Sequence, residues 1–466
     1  MATGLSESQK EEIRAVAARA LKLLPADPGD GEAAGRIERA ARAATTALDP
    51  TYTVLVSGLR SVGKSTFVSA LWGDSQLLPT AVRDCTQTNT LIRIPAPDEE
   101  DRSLKLAYLE RDDAVEFATR GLAYYRLAQM LSEVLGPLGP RLDELPPEER
   151  LRAAARAVRT LFDERKDVYV LHEHLSEQLD QLEEFLAFLD SDSYRPGGVV
   201  DARWEDRREH LMGRRRSDGR TLDVGKLLAL RHVEVVRASD AWTGGTPRLI
   251  DTPWIPTFHN ARRSDLILEQ ARTADILVII SLPEPYAPEE WVHRILRESP
   301  RLVGRTVLVF NQLDTVDTSQ LFSRGGFAEA FADSSEAVGK LGFKGENILV
   351  ACSRLPFLER DERDPAVKER SEKLRGILER IRRMSADSRS GTFRDALHAA
   401  CDPGDAGIET LRTRLDAVWR VEVMKDRGRA ALDAVAAVGE MDVEPGNAGA
   451  WGELAGRARR ASLSLW

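Results

Sequence analysis

The stretch Thr53-Val-Leu-Val-Ser-Gly-Leu-Arg-Ser-Val-Gly-Lys-Ser-Thr66 decides the fold of this 466-residue chain. The residues before Gly58 predict a buried β-strand, and the apolar residues after Thr66 predict a helix. Between them lies the spacing G-x-x-x-x-G-K-S, which is typical of a phosphate-binding loop. Its glycines let backbone N–H groups surround phosphate oxygens, Lys64 offers a charge to the outer phosphates, and the Ser65 hydroxyl suits Mg²⁺. Because both flanking elements are as expected, we favour this interpretation over a chance glycine-rich turn.

Composition and charge narrow the class of protein. The chain is 42% hydrophobic and 30% charged, carries a net charge of -9 and has 3 cysteines. At roughly 100–200 residues per domain, the length allows about two to four domains. The longest aliphatic run, at 276–280, is far shorter than the ~20 apolar residues of a membrane span, and the N-terminus lacks a signal-peptide core. We therefore expect a soluble cytoplasmic protein, and the charge argues against nucleic acid as a partner.

From residue 51 onward, short apolar runs alternate with helical patterns, which predicts an α/β fold with a mostly parallel sheet flanked by helices. A helical pattern also precedes the first run, where Ser8 and Glu11 have the spacing of a capping box. The segment 96–230 is mostly helical, and we expect its Arg-rich part, 203–220, to be a solvated loop because acidic residues interrupt it. The predicted strands are 53–57, 90–94, 233–237, 248–251, 276–281, 306–311 and 348–352.

Three further motifs follow in the order of a guanine-nucleotide site. Asp251-Thr-Pro ends one predicted strand, where the carboxylate can hold Mg²⁺ through water. Asn311-Gln-Leu-Asp314 follows another, where the Asp314 carboxylate can accept two hydrogen bonds from guanine and Asn311 can tie this loop to the phosphate loop. Ser353-Arg354 follows the last strand and offers the base a second contact through backbone N–H groups. Each motif alone suits an ordinary loop or capped turn, but the order of the first two after the phosphate loop favours guanine.

With these motifs in place, the chain resembles a bacterial dynamin-like GTPase, a member of the dynamin superfamily of P-loop GTPases. The resemblance covers roughly residues 51–418 and implies a P-loop GTPase-type domain with a large helical insertion at about 96–230. It further implies that N-terminal helices at 1–50 pack with C-terminal helices at 419–466 as a short neck bundle. Besides the motifs above, it rests on Ala70-Leu-Trp-Gly73, Leu78-Pro-Thr80 and Cys85-Thr86.

The resemblance also implies roles for single residues. Thr86, rather than Thr88 or Thr90, stands where the first switch threonine of the family ligates Mg²⁺ and positions the attacking water. Ser61 stands where a serine supports charge stabilisation, and Arg60 is an alternative internal cation. The predicted nucleotide-binding residues are Gly58, Arg60, Ser61, Val62, Gly63, Lys64, Ser65, Thr66, Asn311, Gln312, Asp314, Ser353 and Arg354. The predicted metal ligands are Ser65, Thr86 and Asp251. The predicted catalytic residues are Lys64, Thr86 and Ser61.

Two positions depart from the family pattern. Trp254 stands where the family has glycine, and the loss of glycine's conformational freedom puts the coupling of hydrolysis to switch movement in doubt. Gln312 stands where lysine is usual, so that a cation and part of an apolar stem are lost. We expect weaker guanine affinity as a result, with Asp314 still setting the identity of the base.

The ligands implied by the resemblance are GTP or GDP and Mg²⁺, and the implied reaction is hydrolysis of GTP to GDP and phosphate. Dimerisation of GTPase domains would stimulate it, in a homodimer or with a second dynamin-like chain. A membrane surface remains open as a partner, although no segment of the sequence is long enough to span a bilayer. One alternative is a nucleotide-dependent binding or assembly switch with little hydrolysis, which Trp254 motivates. Another is a P-loop ATPase or small-molecule kinase, which requires the 311–314 motif to be fortuitous.

Overall fold

The computed structural model describes residues 4–23, 32–59, 61–79, 88–119, 122–135, 142, 144–164, 173–212, 214–215, 221–222, 224–242, 244–252, 261–283, 290–315, 326–354, 356, 365–385, 391–402, 406–438 and 448–465. The chain divides into two compact units. The helical unit comprises Met1–Tyr52, Thr243–Thr246 and Leu411–Trp466, and the sheet unit comprises Thr53–Trp242 and Pro247–Thr410.

The β-strands confirm the predicted α/β class. Every predicted strand is present: 276–281 has its predicted ends, and the others differ by one to three residues at one or both ends. The strands among the described residues are β1 (Thr51–Gly58), β2 (Thr90–Arg93), β3 (Ser103–Tyr108), β4 (Val199–Ala202), β5 (Arg214–Arg215), β6 (Thr221–Leu222), β7 (Leu230–Val236), β8 (Thr246–Asp251), β9 (Ile276–Ser281), β10 (Thr306–Phe310) and β11 (Ile348–Val350).

One sheet takes in all of these strands except β5 and β6, which form a separate pair. The order of the large sheet is β11-β10-β9-β1-β8-β2-β7-β3-β4. The run β1-β9-β10-β11 is parallel, and its register sets Gly58 beside Ile280 and Phe310 beside both Ser281 and Val350. β9 and β10 are buried along their whole length, as the apolar runs predict. The carboxyl ends of these four strands therefore meet at one edge, where open α/β sheets bind ligands.

Helices precede, separate and follow these strands along the chain and make up most of the rest of the described residues. They are α1 (Glu7–Lys22), α2 (Glu32–Thr46), α3 (Lys64–Trp72), α4 (Arg111–Thr119), α5 (Leu122–Leu135), α6 (Pro147–Glu164), α7 (Glu173–Leu189), α8 (Arg207–Met212), α9 (Val224–Leu227), α10 (Ala261–Thr273), α11 (Glu290–Glu298), α12 (Phe327–Gly339), α13 (Pro365–Ser385), α14 (Gly391–Cys401), α15 (Ile408–Val418), α16 (Met424–Val438) and α17 (Ala448–Leu463). None of the described helices is long and apolar enough to cross a membrane.

The segment 96–230 differs from the expectation in two ways. It contributes β3 and β4 to the sheet, where β3 pairs antiparallel with both β7 and β4. The loop expected at 203–220 is also wrong: its described residues form a 3₁₀ turn at Trp204–Asp206, then α8, and then β5. β3 has an alternating apolar pattern, but β4 is an exposed edge strand whose Val199 is 64% accessible. β4 is a strand because it is hydrogen-bonded to β3, and no apolar run in the sequence predicts it.

The helical unit contains α1, α2, α16 and α17, which pack against one another. The capping box of α1 is formed by Ser6 and Gln9, not by the predicted Ser8 and Glu11: Gln9 N donates to Ser6 Oγ at 3.2 Å, and Ser6 N donates to Gln9 Oε1 at 2.9 Å. Both pairs have the required spacing. The Gln9 side chain also donates to the Ser464 carbonyl at 2.8 Å, and this long-range contact selects the earlier start of the helix.

Candidate functional site

The phosphate loop joins the end of β1 to the start of α3, as predicted. Gly58 has a φ of 156°, and a Cβ there would lie 2.3 Å from the Ile280 carbonyl oxygen on β9. Gly63 has a φ of 82°, and a Cβ there would lie 2.9 Å from Asn311 Nδ2. Any side chain at either position would strain the backbone and push away a neighbouring strand or loop. The two glycines of the motif are thus required by the path of the chain.

Lys64 folds back over this loop. Its Nζ donates to the carbonyl oxygens of Gly58 at 3.0 Å and Leu59 at 2.8 Å, and only 8% of the residue is exposed. The carbonyls hold the ammonium group inside the curve of the loop, where it can meet the outer phosphates of a nucleotide. Ser61 has an exposed side chain and a φ of 62°, a left-handed conformation that is costly for a residue other than glycine.

Ser65 and Asp251 meet at the start of α3. Ser65 Oγ donates to Asp251 Oδ2 at 2.7 Å, and both residues are buried. Thr252 holds the end of β8 in place, because its Oγ1 donates to the Val56 carbonyl at 3.0 Å. The hydroxyl and carboxylate are hard oxygen donors, and Mg²⁺ in nucleotide sites takes one or two such side chains together with phosphate oxygens and water. This pair fits Mg²⁺; elsewhere, the described residues include no group of three or more His, Cys, Asp or Glu that could hold a metal ion.

The loop after β10 is bound to the phosphate loop by two side chains. Asn311 is fully buried, and its Nδ2 donates to the Val62 carbonyl at 3.0 Å. Gln312 Nε2 donates to the Ser61 carbonyl at 2.8 Å. Gln312, like Ser61, is left-handed, with a φ of 63°. Two residues with left-handed backbones are therefore joined by a hydrogen bond. Gln312 supports the phosphate loop through its amide, without the positive charge of the lysine that is usual at this position.

Asp314 lies in the same loop, two residues after Gln312, and 14% of its side chain is exposed. Arg354 Nη1 donates to Asp314 Oδ2 at 3.1 Å, and Cys352 Sγ lies 3.8 Å from Oδ1 as a donor. Ser353 N donates to Asn311 Oδ1 at 3.2 Å. Asn311 thus fixes the loop after β11 as well as the phosphate loop, so that one buried amide organises three segments of the site.

The structure brings most of the predicted site residues together at the carboxyl edge of the sheet. Val62 is buried, and Thr66 is half-buried on the first turn of α3. Arg60, Thr86 and Trp254 lie outside the described residues, so their predicted roles stay predictions.

The loop after β11 is supported by residues that no motif in the sequence predicts. Cys352 N donates to the Ala406 carbonyl at 3.0 Å, and both Ala406 and Gly407 have left-handed backbones, with φ values of 50° and 75°. A Cβ at Gly407 would lie only 2.2 Å from the Val350 carbonyl oxygen. The sequence signal was the cluster of turn-forming residues at 402–407, which marks a turn but does not reveal what the turn touches.

No protein-family profile matches the chain, and no curated protein matches it. Among solved structures, the chain is similar to two chains described as belonging to an oligomerised bacterial dynamin pair that provides a mechanism for long-range sensing and tethering of membranes. The first is 10% identical with a TM-score of 0.41, over 94% of this chain and 57% of that one. The second is 11% identical with a TM-score of 0.44, over 98% of this chain and 50% of that one. The present chain thus spans about half the length of these structures.

Proposed function

We propose that the chain binds GTP and GDP together with Mg²⁺ and hydrolyses GTP to GDP and phosphate as a dynamin-like GTPase. The observation that supports this most is the hydrogen bond from Asn311 Nδ2 to the Val62 carbonyl, across a sequence separation of 249 positions. It fastens a loop with a base-reading carboxylate to a phosphate-binding loop. A P-loop ATPase or kinase has no need of Asp314 at this place, because adenine lacks the two donors that a carboxylate accepts.

In this proposal the chain positions the phosphates and stabilises charge. The oxygen of an attacking water bonds to the γ-phosphorus, the bond from that phosphorus to the β–γ bridging oxygen breaks, and the products are GDP and phosphate. Lys64 and the amides of the phosphate loop bind the β and γ phosphates, and Ser61 supports the charge that develops on them. Ser65 and Asp251 would hold Mg²⁺ with Thr86, and the ion when bound supplies positive charge to the phosphates.

We further propose a division of the chain around this activity. Residues 51–418 form the GTPase domain with the insertion at 96–230, and residues 1–50 and 419–466 form a helical neck. The partner is a second copy of the chain, joined through the GTPase domain, or a related dynamin-like chain. The protein works in the cytoplasm, with association to a membrane surface as the further possibility.

Calorimetric titration with GTP, GDP and ATP tests the proposal. The parent should prefer guanine nucleotides, and Asp314→Asn should lose about 10- to 100-fold in GTP affinity and turn towards xanthine nucleotides, because the amide no longer accepts both guanine donors. Asp333→Asn is a matched control on the exposed surface of α12 and should change nothing. Equal affinity of the parent for ATP and GTP would contradict the guanine assignment.

The alternative is a nucleotide-controlled binding switch that hydrolyses little, and the presence of Trp254 after Asp251-Thr-Pro favours it. Phosphate release measured over a range of protein concentrations separates the two functions. Specific activity that rises with concentration supports hydrolysis stimulated by dimerisation. Turnover that stays at background in concentrated protein, while GTP still binds, supports the switch.

A further inference from the structure

Both oxygens of the Asp314 carboxylate already have donors within the chain. Arg354 Nη1 lies 3.1 Å from Oδ2, and Cys352 Sγ lies 3.8 Å from Oδ1. The two donors differ in strength, because a thiol is a weak donor whereas a guanidinium forms a charge-assisted hydrogen bond. Arg354 is therefore the main partner with which another ligand of Asp314 would compete.

The side chain of Arg354 can move in such an exchange while the main chain before it stays in place. The main chain immediately before it is held by the bond from Ser353 N to Asn311 Oδ1 at 3.2 Å and by the bond from Cys352 N to the Ala406 carbonyl at 3.0 Å. The Arg354 side chain is 56% exposed, whereas that of Asp314 is 14% exposed. The guanidinium is already largely hydrated and can turn fully into water at little cost in free energy, while the carboxylate stays where it is.

We propose that Arg354 is an internal competitor of guanine: it is paired with Asp314 when the base site is empty and gives up that carboxylate when a guanine nucleotide binds. The inference rests on the proposed function, since it requires Asp314 to read the base. Guanine presents two adjacent N–H donors to the two carboxylate oxygens. Each oxygen can accept a second hydrogen bond, so Arg354 does not occupy the last acceptor site; it competes with the base for the charge of the carboxylate and for the approach to Oδ2, from which its Nη1 lies 3.1 Å. Arg354 thereby lowers guanine affinity and reduces the difference in affinity between guanine and other bases, while Asp314 sets which base is preferred.

The strength of the competition follows from the exposure of the pair. A partly exposed ion pair favours the paired form over the unpaired form by up to about fivefold. Removing the cation should therefore tighten guanine binding by about two- to fivefold. Binding of ATP does not draw on the Asp314 carboxylate and should not change.

The first experiment is calorimetric titration of Arg354→Met with GDP and ATP in the presence of Mg²⁺. Methionine keeps an apolar stem at this position but removes the guanidinium. We expect GDP affinity to rise about two- to fivefold and ATP affinity to stay the same. Arg383→Met is the matched control, because Arg383 pairs with Glu379 on the exposed surface of α13 and should leave both affinities unchanged. Unchanged or weaker GDP binding by Arg354→Met would overturn the inference.

A double-mutant cycle then shows whether Arg354 acts through Asp314. In the Asp314→Asn background the charged partner of Arg354 is gone, and xanthosine diphosphate (XDP) is the nucleotide that this variant is expected to prefer. Adding Arg354→Met there should not change the affinity for XDP. A gain of the same size in both backgrounds would mean that Arg354 acts on the phosphates or on the whole surface charge, and it would refute the competitor role. The proposed function fails separately, if Asp314→Asn alone does not move the preference from guanine to xanthine.

Discussion

Ser65 Oγ and Asp251 Oδ2 lie 2.7 Å apart in the buried interior of the sheet unit, although 186 positions separate them in the sequence. One oxygen comes from the first turn of α3 and the other from the last residue of β8. Burial in a medium of low dielectric makes this contact strong and makes the loss of either partner costly. The pair joins the phosphate loop to the motif that the sequence suggests for Mg²⁺.

Substitution of Ser65 should weaken the dependence of nucleotide binding on Mg²⁺. Ser65→Ala removes one oxygen donor and leaves Asp251 without this hydroxyl, so the gain in GDP affinity on adding Mg²⁺ should fall by at least about tenfold. The measurement is GDP titration in Mg²⁺ and in EDTA. Ser335→Ala, which removes a hydroxyl bonded to the Phe331 carbonyl on α12, is the control and should keep the full Mg²⁺ effect. An unaltered Mg²⁺ effect in Ser65→Ala would mean that this pair does not hold the ion.

Lys64 is expected to dominate phosphate binding. Lys64→Ala removes the buried ammonium from the phosphate loop, and nucleotide affinity should fall by at least about 100-fold because a charged hydrogen-bond donor is lost from several acceptors. Titration with GTP measures the loss, and thermal unfolding checks that the variant is folded. Lys340→Ala, on the exposed surface just after α12, should bind as the parent does. Retained GTP binding or turnover in folded Lys64→Ala would show that the phosphate loop has been misinterpreted.

Gly407 should be intolerant of any side chain. Its φ of 75° and the 2.2 Å distance from a built Cβ to the Val350 carbonyl oxygen predict that Gly407→Ala lowers the free energy of unfolding by about 1–3 kcal/mol. Urea denaturation measures the change. Gly376→Ala is the matched control, since Gly376 lies within α13 with open space around it, and alanine there should stabilise the protein by up to about 1 kcal/mol. Equal stability of the two variants would contradict the left-handed turn against β11.

The ion-pair cluster around Glu99 should make stability depend on pH. Arg93, and then Lys105, hydrogen-bond to the carboxylate and lower the pKa of Glu99 from its ordinary value of 4.5 to about 2. A carboxyl whose pKa is lowered by folding stabilises the protein above the unfolded pKa and loses that contribution as the pH falls through the folded pKa. The stabilisation should therefore be complete above about pH 5 and disappear as the pH falls from 4.5 towards 2.

Urea denaturation of Glu99→Gln at several pH values tests this dependence. At pH 7 the variant should be about 1 kcal/mol less stable than the parent, and the difference should shrink as the pH falls below about 4.5. Glu336→Gln is the control, because Glu336 pairs with Lys340 on the exposed surface of α12, where solvent screens the pair, and the substitution should leave the stability nearly unchanged. A difference that stays constant down to pH 3 would mean that Glu99 contributes by packing and not by charge.

The chain's local patterns were sufficient to locate the main strands and the phosphate loop. β9 and β10 are apolar at nearly every position and buried throughout, and such runs are visible without knowledge of their neighbours. The glycines of the phosphate loop could be placed for a similar reason, since positions 58 and 63 need backbone angles that other residues avoid. By contrast, β4 has no apolar run, and its pairing with β3 defines it.

The sequence by itself determined the strand–loop–helix around Lys64, the order of the motifs, and the carboxylates and amides that could serve a guanine-nucleotide site. The sequence also predicted that Asn311 ties its loop to the phosphate loop and that Ser65 and Asp251 share a metal site. Only the tertiary structure decided the atoms that meet: Asn311 Nδ2 with the Val62 carbonyl, Ser65 Oγ with Asp251 Oδ2, and Arg354 with Asp314, a pair that no motif predicted. Apolar runs and glycines are local signals because they reflect burial and backbone angles at one position. Hydrogen bonds and ion pairs between distant residues depend on how the whole sheet brings its strand ends together, and a sequence pattern cannot specify that distance.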